Sequence, residues 1–311
     1  MNGSPSFASR QEFRAHIADL DFWWPHLAEA LNRHGRVDAA VDPVPGYNPT
    51  FPTFLYGDIV IKVFGFLPSA HRSYVAERNA HALLATDPEI LAPAVLASGN
   101  LYDDDDAPWP YLITSRIPGV AAPFAEVSRE QRLSLAKQLG KQIQRVHALP
   151  HTGVATHDDW PALDVAAAVA NSSLPPHLVM QVDDYLARIT PFDDVFVHGD
   201  LAAMHVFVDD GRISGIIDWG DAMVTDRHYE IIQIHRDTFR CEKEQLRVFL
   251  EASKWPVDDD FPYKAMAHAL YRQTIMLTQH QGGDVFEPVA ALFPLDEIAT
   301  LDELAIELFG V

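Results

Sequence analysis

The stretch VFVHGDLAAMHVFVDDGRISGIID, from Val195 to Asp218, limits the possible folds more than any other part of the chain. Three short runs rich in Val, Phe and Ile are separated by two polar turns. Val206-Phe-Val and Arg212-Ile-Ser-Gly-Ile-Ile flank Asp209-Asp210-Gly211, a strong turn signal, so they read as a hairpin. The preceding run ends in His198-Gly199-Asp200. The hairpin then delivers Asp218 beside the turn that carries Asp200, with His205 between them in sequence. Two carboxylates and one polar ligand at adjacent strand ends suit a nucleotide–metal site. One Asp receives the proton of a substrate hydroxyl; the other, with the side chain five residues on, holds metal against phosphates.

Upstream, the character of the chain changes twice. Arg10 to His34 has apolar residues at helical spacing. The segment from Arg36 to Phe66 is rich in Val, Ile, Phe, Pro and Gly and reads as strands and turns, with Tyr56-Gly57-Asp58 as a hairpin tip. Its last strand carries one lysine, Lys62, inside an apolar run. A helix over Ser73–Leu84 follows, then strands near Ala94–Ala97 and Tyr111–Ser115. From Ser128 helices dominate, including one over about His177 to Ile189, and everything after Asp226 reads as helical apart from the Lys254–Pro262 loop. The expected architecture is α+β: a sheet-rich part over 1–115 and a helical part over 116–311.

The pattern HGDxxxxH followed by GIIDW resembles the aminoglycoside phosphotransferase group of the protein-kinase-like fold. The segments DFWWPHLAEAL, VPGYNP, VIKVFG, WPYLITSRIPG and LAKQLGKQIQRVHALPHTG look most like hygromycin B phosphotransferases. The resemblance implies a two-lobed fold with a small sheet-rich N-lobe and a larger helical C-lobe. It also implies Asp200 as catalytic base, Asp218 and His205 as metal ligands, and Lys62 on the α/β-phosphates with Glu77 as its partner. The turn at Gly46-Tyr47-Asn48 would cover the phosphates, and the backbone of Ile113, Thr114 and Ser115 would meet the nucleobase. Asp221 and Asp237 are candidates for holding the acceptor. Mg²⁺, with Mn²⁺ as an alternative, and ATP or GTP are the implied cofactor and co-substrate.

Two features depart from the usual pattern. His205 stands where most of these kinases have Asn; macrolide phosphotransferases also carry HGDxxxxH, and imidazole accepts Mn²⁺ more readily than a carbonyl oxygen does. The phosphate turn has one glycine among Pro45, Pro49 and Pro52, so it is stiffer than a glycine-rich loop. Other residues have plainer readings. His198 is a scaffold histidine, and Asp226 and Glu230 brace the loop and cap a helix. Glu89 is a rival carboxylate for Lys62.

Charge narrows the partners. Lys and Arg number 23 against 44 Asp and Glu, a formal charge of -21. Such a field repels nucleic acid and anionic lipid and attracts cations, so a cationic small-molecule acceptor is expected. The runs at 103–106 and 258–260 read as solvated acidic loops. A lone cysteine, Cys241, and a start without a secretion pattern lead us to expect a cytoplasmic protein, monomeric or homodimeric, with no membrane span. The leading reading is a kinase acting on a hydroxyl of a hygromycin-like aminoglycoside. Alternatives are a macrolide 2'-phosphotransferase, a metabolite kinase of the same fold, and a non-catalytic nucleotide-binding pseudokinase.

Overall fold

The computed structural model describes residues 4–311 apart from 39, 105–106, 151–152, 157–159, 189–192 and 281–282. Half of the 103–106 acidic run and the end of the expected helix at Ile189 therefore lie outside the described residues. The chain forms two compact units. Met1–Thr86, Ala92–Pro118 and Ile217–Asp221 make the first; Asp87–Leu91, Gly119–Ile216 and Ala222–Val311 make the second.

The first unit is built on a five-stranded antiparallel sheet in the order Val44–Pro45, Thr53–Tyr56, Ile59–Val63, Pro110–Ser115, Val95–Asn100. Gly57, in the left-handed region at φ 62°, makes the tight turn between the second and third of these. Strand periodicity explains what each face does. Ile59, Ile61 and Val63 are buried and point into a cluster with Phe13, Trp23, Leu27 and Leu31 from the leading helices. Val60 and Lys62 alternate to the opposite face. There Phe51, Phe64 and Leu112, the cross-strand partner of Lys62, form a second small cluster with Ala70. Ala70 begins the helix Ala70–Leu84, which starts one turn's worth of residues earlier than the sequence pattern suggests.

The leading segment is not one helix. It breaks into Arg10–His16 and Leu20–Arg33 because Asp19 acts as an N-cap: its side chain accepts the Phe22 N–H at 3.2 Å and also meets His16 Nδ1 at 3.1 Å. A cap of this kind is worth about 1 kcal/mol, enough to outweigh one more turn of uninterrupted helix. Trp23 is then fixed by its indole N–H, which donates to the His16 carbonyl.

The second unit is mainly helical. Arg129–His147 starts on a capping box between Ser128 and Gln131. It packs against Lys243–Ser253 at Gly140, where a Cβ would lie 2.5 Å from the Phe249 carbonyl oxygen, so only glycine allows the two backbones this close. Phe261–Ile275 runs through the centre with Leu301–Phe309 against it. The hairpin Val206–Asp209/Arg212–Ile216 forms as expected, with Val120–Ala121 added at its edge. The strand Asp194–Val197 pairs with Met223–Asp226, a strand the sequence pattern concealed among residues read as loop and helix. The single helix expected over 177–189 is two short ones, Pro176–Val179 and Val182–Leu186. Among the described residues no helix is long and apolar enough to cross a membrane.

Candidate functional site

The first unit gathers the candidates Lys62, Glu77 and Asp218. Lys62 Nζ lies 2.7 Å from Glu77 Oε2 and 2.7 Å from Asp218 Oδ1. The sheet places Lys62 on the face opposite the main core, the helix Ala70–Leu84 brings Glu77 to it, and the segment Ile217–Asp221 adds Asp218. Phe51 and Phe64 flank the ammonium, 5.9 and 5.2 Å from their ring centres, and shield it from water. Burial works against the charge on Lys62, yet Asp218 and Glu77 together hold its ammonium above the ordinary value. Burial pushes the Glu77 carboxyl up; Lys62 pulls it down, while Asp218 and Asp221 add repulsion. One ammonium thus serves two carboxylates, and the cluster carries a surplus of negative charge.

Asp218 adopts φ 65°, the left-handed region that non-glycine residues avoid at a cost of about 1 kcal/mol. That geometry turns its carboxylate back toward Lys62. Its side chain is 41% exposed while Glu77 is 7% exposed, so Asp218 is the more accessible of the two carboxylates.

The second unit gathers Asp200, His205 and their partners. Asp200 follows the strand Asp194–Val197 across His198-Gly199, with Gly199 at φ 81° making the turn. Its Oδ1 accepts from Gln233 Nε2 at 2.6 Å and from Arg272 Nη2 at 2.8 Å. Arg272, only 2% exposed, also donates through Nη1 to the Gly199 carbonyl at 2.5 Å and lies over the Tyr229 ring. Burial by itself would raise the Asp200 carboxyl. The Arg272 guanidinium, with His205, Gln233 and His198 behind it, holds it below the usual carboxylate range. Both donors fall on Oδ1, while Oδ2 lies 3.7 Å from His205 Nδ1.

His205 Nδ1 lies 2.7 Å from the Asp200 carbonyl oxygen. A carbonyl only accepts, so Nδ1 carries the proton and, in the neutral ring, Nε2 carries the lone pair. This is the arrangement of a metal-binding imidazole oriented by a backbone carbonyl. Behind it, Glu230 Oε1 accepts the His198 N–H at 2.7 Å, and Glu230 Oε2 meets His147 Nε2 at 2.9 Å. Asp226 accepts the N–H groups of Asp193 and His228. These two acids brace the strand and cap the turn after it.

The remaining candidates stand as follows. The Gly46 N–H donates to Thr53 O at 2.7 Å, and a Cβ there would sit 3.1 Å from that oxygen; Tyr47 beside it is exposed. Ile113 is fully buried and lies between Ile61 and Ala97 in the sheet, as Thr114 lies between Val60 and Val95. The N–H groups of Ser115 and Arg116 already donate to Ala94 O and Asp58 O. Among the described residues the next N–H, that of Ile117, has no such carbonyl. Asp237 is held by its neighbour Arg236, at 2.5 and 2.9 Å. Asp221 stays near enough to Glu77 to raise its carboxyl. Gln233 and Arg272 were invisible in the motif reading. The only signal for Arg272 was a lone arginine in the apolar helix FPYKAMAHALYRQTI.

The donor set suits Mg²⁺ carried by a nucleotide. Among the described residues no group of three His, Cys, Asp or Glu side chains could hold a metal alone. Mg²⁺ bound with phosphates needs only one or two protein ligands, because phosphate oxygens and water complete its shell. Each unit offers one candidate donor of that kind: the Asp218 carboxylate in the first and the fixed imidazole of His205 in the second.

Comparison with known proteins gives a consistent picture. Residues 57–261, about two thirds of the chain, match the model of the phosphotransferase enzyme family. An aminoglycoside 3'-phosphotransferase from Streptomyces fradiae is 33% identical over 170 residues, 48% of this chain and 59% of that protein. A hygromycin-B 4-O-kinase from Escherichia coli is 40% identical over 55 residues, 17% of this chain and 16% of that protein. A homoserine kinase from Gluconacetobacter diazotrophicus is 30% identical over 135 residues, 39% of this chain and 40% of that protein. The matches thus span well under two thirds of these relatives' own lengths. Among solved structures, the GDP and kanamycin complex of an aminoglycoside phosphotransferase superposes with a TM-score of 0.66 at 17% identity, covering 89% of this chain and 99% of that one. A macrolide 2'-phosphotransferase from Brachybacterium faecium gives 0.59 at 19% identity, covering 92% and 98%.

Proposed function

This chain belongs to the phosphotransferase enzyme family, and from that premise we propose that it moves the γ-phosphoryl group of ATP or GTP to a hydroxyl of a cationic, hygromycin-like aminoglycoside. The observation that carries the reading is the Lys62–Glu77–Asp218 cluster, both contacts at 2.7 Å. A buried lysine held between a helix carboxylate and a more exposed one is what nucleotide phosphates require. Lys62 meets the α/β-phosphates, and Glu77 keeps it extended. Asp218 in the first unit would offer a carboxylate to the nucleotide's Mg²⁺, and His205 in the second is a candidate ligand in its own right. When bound, that ion would supply positive charge to offset that of the nucleotide phosphates. The nucleobase lies against the end of Pro110–Ser115, where Ile117 has the N–H to offer.

Asp200 then orients the acceptor hydroxyl through Oδ2. With its carboxyl held low by Arg272, it is a weak base. That suits a loose transition state, where the hydroxyl proton leaves late and positioning supplies most of the acceleration. Asp200 is ionised as the acceptor binds, aims its oxygen at phosphorus, and takes up the hydroxyl proton as the new O–P bond forms and the bond to the leaving nucleoside diphosphate breaks.

The acceptor class rests on the charge of -21 and on the hygromycin-B 4-O-kinase likeness. A macrolide acceptor is the second reading, favoured by His205 in HGDxxxxH; the homoserine kinase likeness keeps a small metabolite hydroxyl in the test. The lone Cys241 and the need for nucleoside triphosphate support a cytoplasmic protein. The test is nucleotide turnover with hygromycin B, kanamycin, erythromycin and homoserine, each with Mg²⁺ or Mn²⁺, and Asp200→Ala as control. Turnover with hygromycin B that vanishes in the control supports the proposal. Turnover with erythromycin or homoserine alone replaces its substrate. Tight nucleotide binding without turnover on any acceptor points to a pseudokinase.

A further inference from the structure

Asp200 receives two side-chain donors within its own unit, and the two are built differently. Arg272 is tied to the fold. It donates to the Gly199 carbonyl as well as to Asp200 Oδ1, and its guanidinium lies 5.1 Å from the centre of the Tyr229 ring. The side chain of Gln233 reaches Asp200 alone, with Nε2 donating to Oδ1 at 2.6 Å. Gln233 is 4% exposed, and its Oε1 is shut off from solvent without a hydrogen-bond partner among the described residues.

An ionised carboxylate only accepts, so the amide meets Oδ1 through its NH₂ group, and that orientation leaves Oε1 unanswered. A buried acceptor without a donor costs much the same as a hydrogen bond to a charged group contributes, so the two nearly cancel. An apolar side chain of similar shape would therefore serve the fold as well. The backbone here is irregular too. The helical turn Ile231–Gln233 passes directly into the π-helical turn Ile234–Thr238, closed by the Phe239 N–H on the Ile234 carbonyl at 3.1 Å. A π turn takes in one more residue than an α turn and changes the angle between side chains before and after it; such turns are rare and concentrate at functional sites. This one is anchored twice, by His235 Nε2 on the Leu308 carbonyl and by Arg236 Nη1 on the Val285 carbonyl, both at 3.0 Å.

We propose that Gln233 is a positioning residue for phosphoryl transfer: while Arg272 ties Oδ1 to the turn at Gly199, the Gln233 amide fixes the rotation of the Asp200 carboxylate, so that Oδ2 meets the acceptor hydroxyl. The proposal rests on the reading of Asp200 as the base. As the acceptor oxygen bonds to phosphorus, its proton passes to Asp200 and the nucleoside diphosphate leaves. A carboxylate held by one donor can still swing about it. A second donor from another element removes that swing, and a small error of aim is costly in rate. Oδ2 is not committed elsewhere: His205 Nδ1 stands 3.7 Å away, beyond hydrogen-bond length. Arg272 thus serves fold and site together, and Gln233 serves the site.

The experiment is steady-state kinetics of the full chain on whichever of hygromycin B, kanamycin, erythromycin and homoserine is turned over. Wild type, Gln233→Met, Asp200→Asn and the double variant are compared, with melting temperatures measured first. Gln233→Met is expected to lower kcat about tenfold to thirtyfold, to leave KM for nucleotide within about twofold, and to melt within ~2 °C of wild type. In the Asp200→Asn background it is expected to change kcat by less than about twofold, because the carboxylate through which it acts is gone. If Gln233→Met does not fold, Gln233→Leu takes its place; failure of both to fold makes Gln233 a structural residue and overturns the inference. A wild-type kcat in Gln233→Met, an equal loss in both backgrounds, or a loss that follows the melting temperature overturns the inference and leaves the kinase reading standing. No turnover by wild type on any acceptor, or full turnover by Asp200→Asn, overturns that reading and the inference with it.

Discussion

The two halves of the candidate site solve opposite electrostatic problems. In the first unit a single ammonium, Lys62, lies between two carboxylates. In the second a single carboxylate, Asp200, lies under a guanidinium and an amide. The first arrangement leaves negative charge over, and its more exposed member, Asp218, can turn to a metal. The second is balanced, so Asp200 stays ionised and pointed. A kinase needs both: a place that gains by accepting a cation with its nucleotide, and a carboxylate held still while the acceptor approaches.

The sharpest way to break the comparison is at Asp200 itself. Asp200→Asn keeps the shape but removes the charge. We expect kcat to fall by about 10³-fold with nucleotide affinity unchanged, read by steady-state kinetics and by nucleotide titration. Equal loss of nucleotide binding would mean that the two halves are not distinct.

Arg272→Met tests the balance in the second unit. It leaves Asp200 Oδ1 and the Gly199 carbonyl short of a donor in a buried place, so unfolding stability should drop by about 3–5 kcal/mol in a denaturant titration at neutral pH. The pH dependence carries a sign. The folded-state Asp200 carboxyl lies below its unfolded value. Its contribution is therefore present above the unfolded pKa, near 3.8, and lost as pH falls through the folded one. The gap between wild type and Arg272→Met should narrow on acidification toward pH 3. A gap constant with pH would show that Arg272 supports packing only.

Lys62→Met tests the surplus in the first unit. It should lower kcat/KM for nucleotide by about 10²-fold. It also leaves Glu77 and Asp218 facing each other without a cation, and stability should fall by about 2 kcal/mol. Adding Glu77→Gln should restore most of that stability but none of the activity. Recovery of activity in the double variant would remove Lys62 from the nucleotide site.

The smallest expected effect is at His205. His205→Asn exchanges an imidazole for a hard carbonyl oxygen, so the ratio of Mg²⁺- to Mn²⁺-supported turnover should rise by about threefold to tenfold. An unchanged ratio would take His205 out of the metal's shell.

Much of this was legible because it is local. HGDxxxxH, the Asp209-Asp210-Gly211 turn and IID lie within one hairpin, where strand period and turn chemistry operate over a few residues. The strand of Lys62 and the helix of Glu77 were legible from their spacing, but their pairing came from the family resemblance; the two side chains meet at 2.7 Å. The break at Asp19 was local as well, but it was masked by continuous helical spacing on either side. Met223–Asp226 was missed because a four-residue strand has no pattern of its own until Asp194–Val197 pairs with it.

Sequence alone determined which residues carry charge and on which face of each element they stand, because backbone periodicity settles that before the chain folds. Only the tertiary structure decided which charges meet. Gln233 and Arg272 reach Asp200 from 33 and 72 residues away. No motif links them, since what selects them is the cost of burying a carboxylate without donors, and that cost exists only once the helices have closed around it.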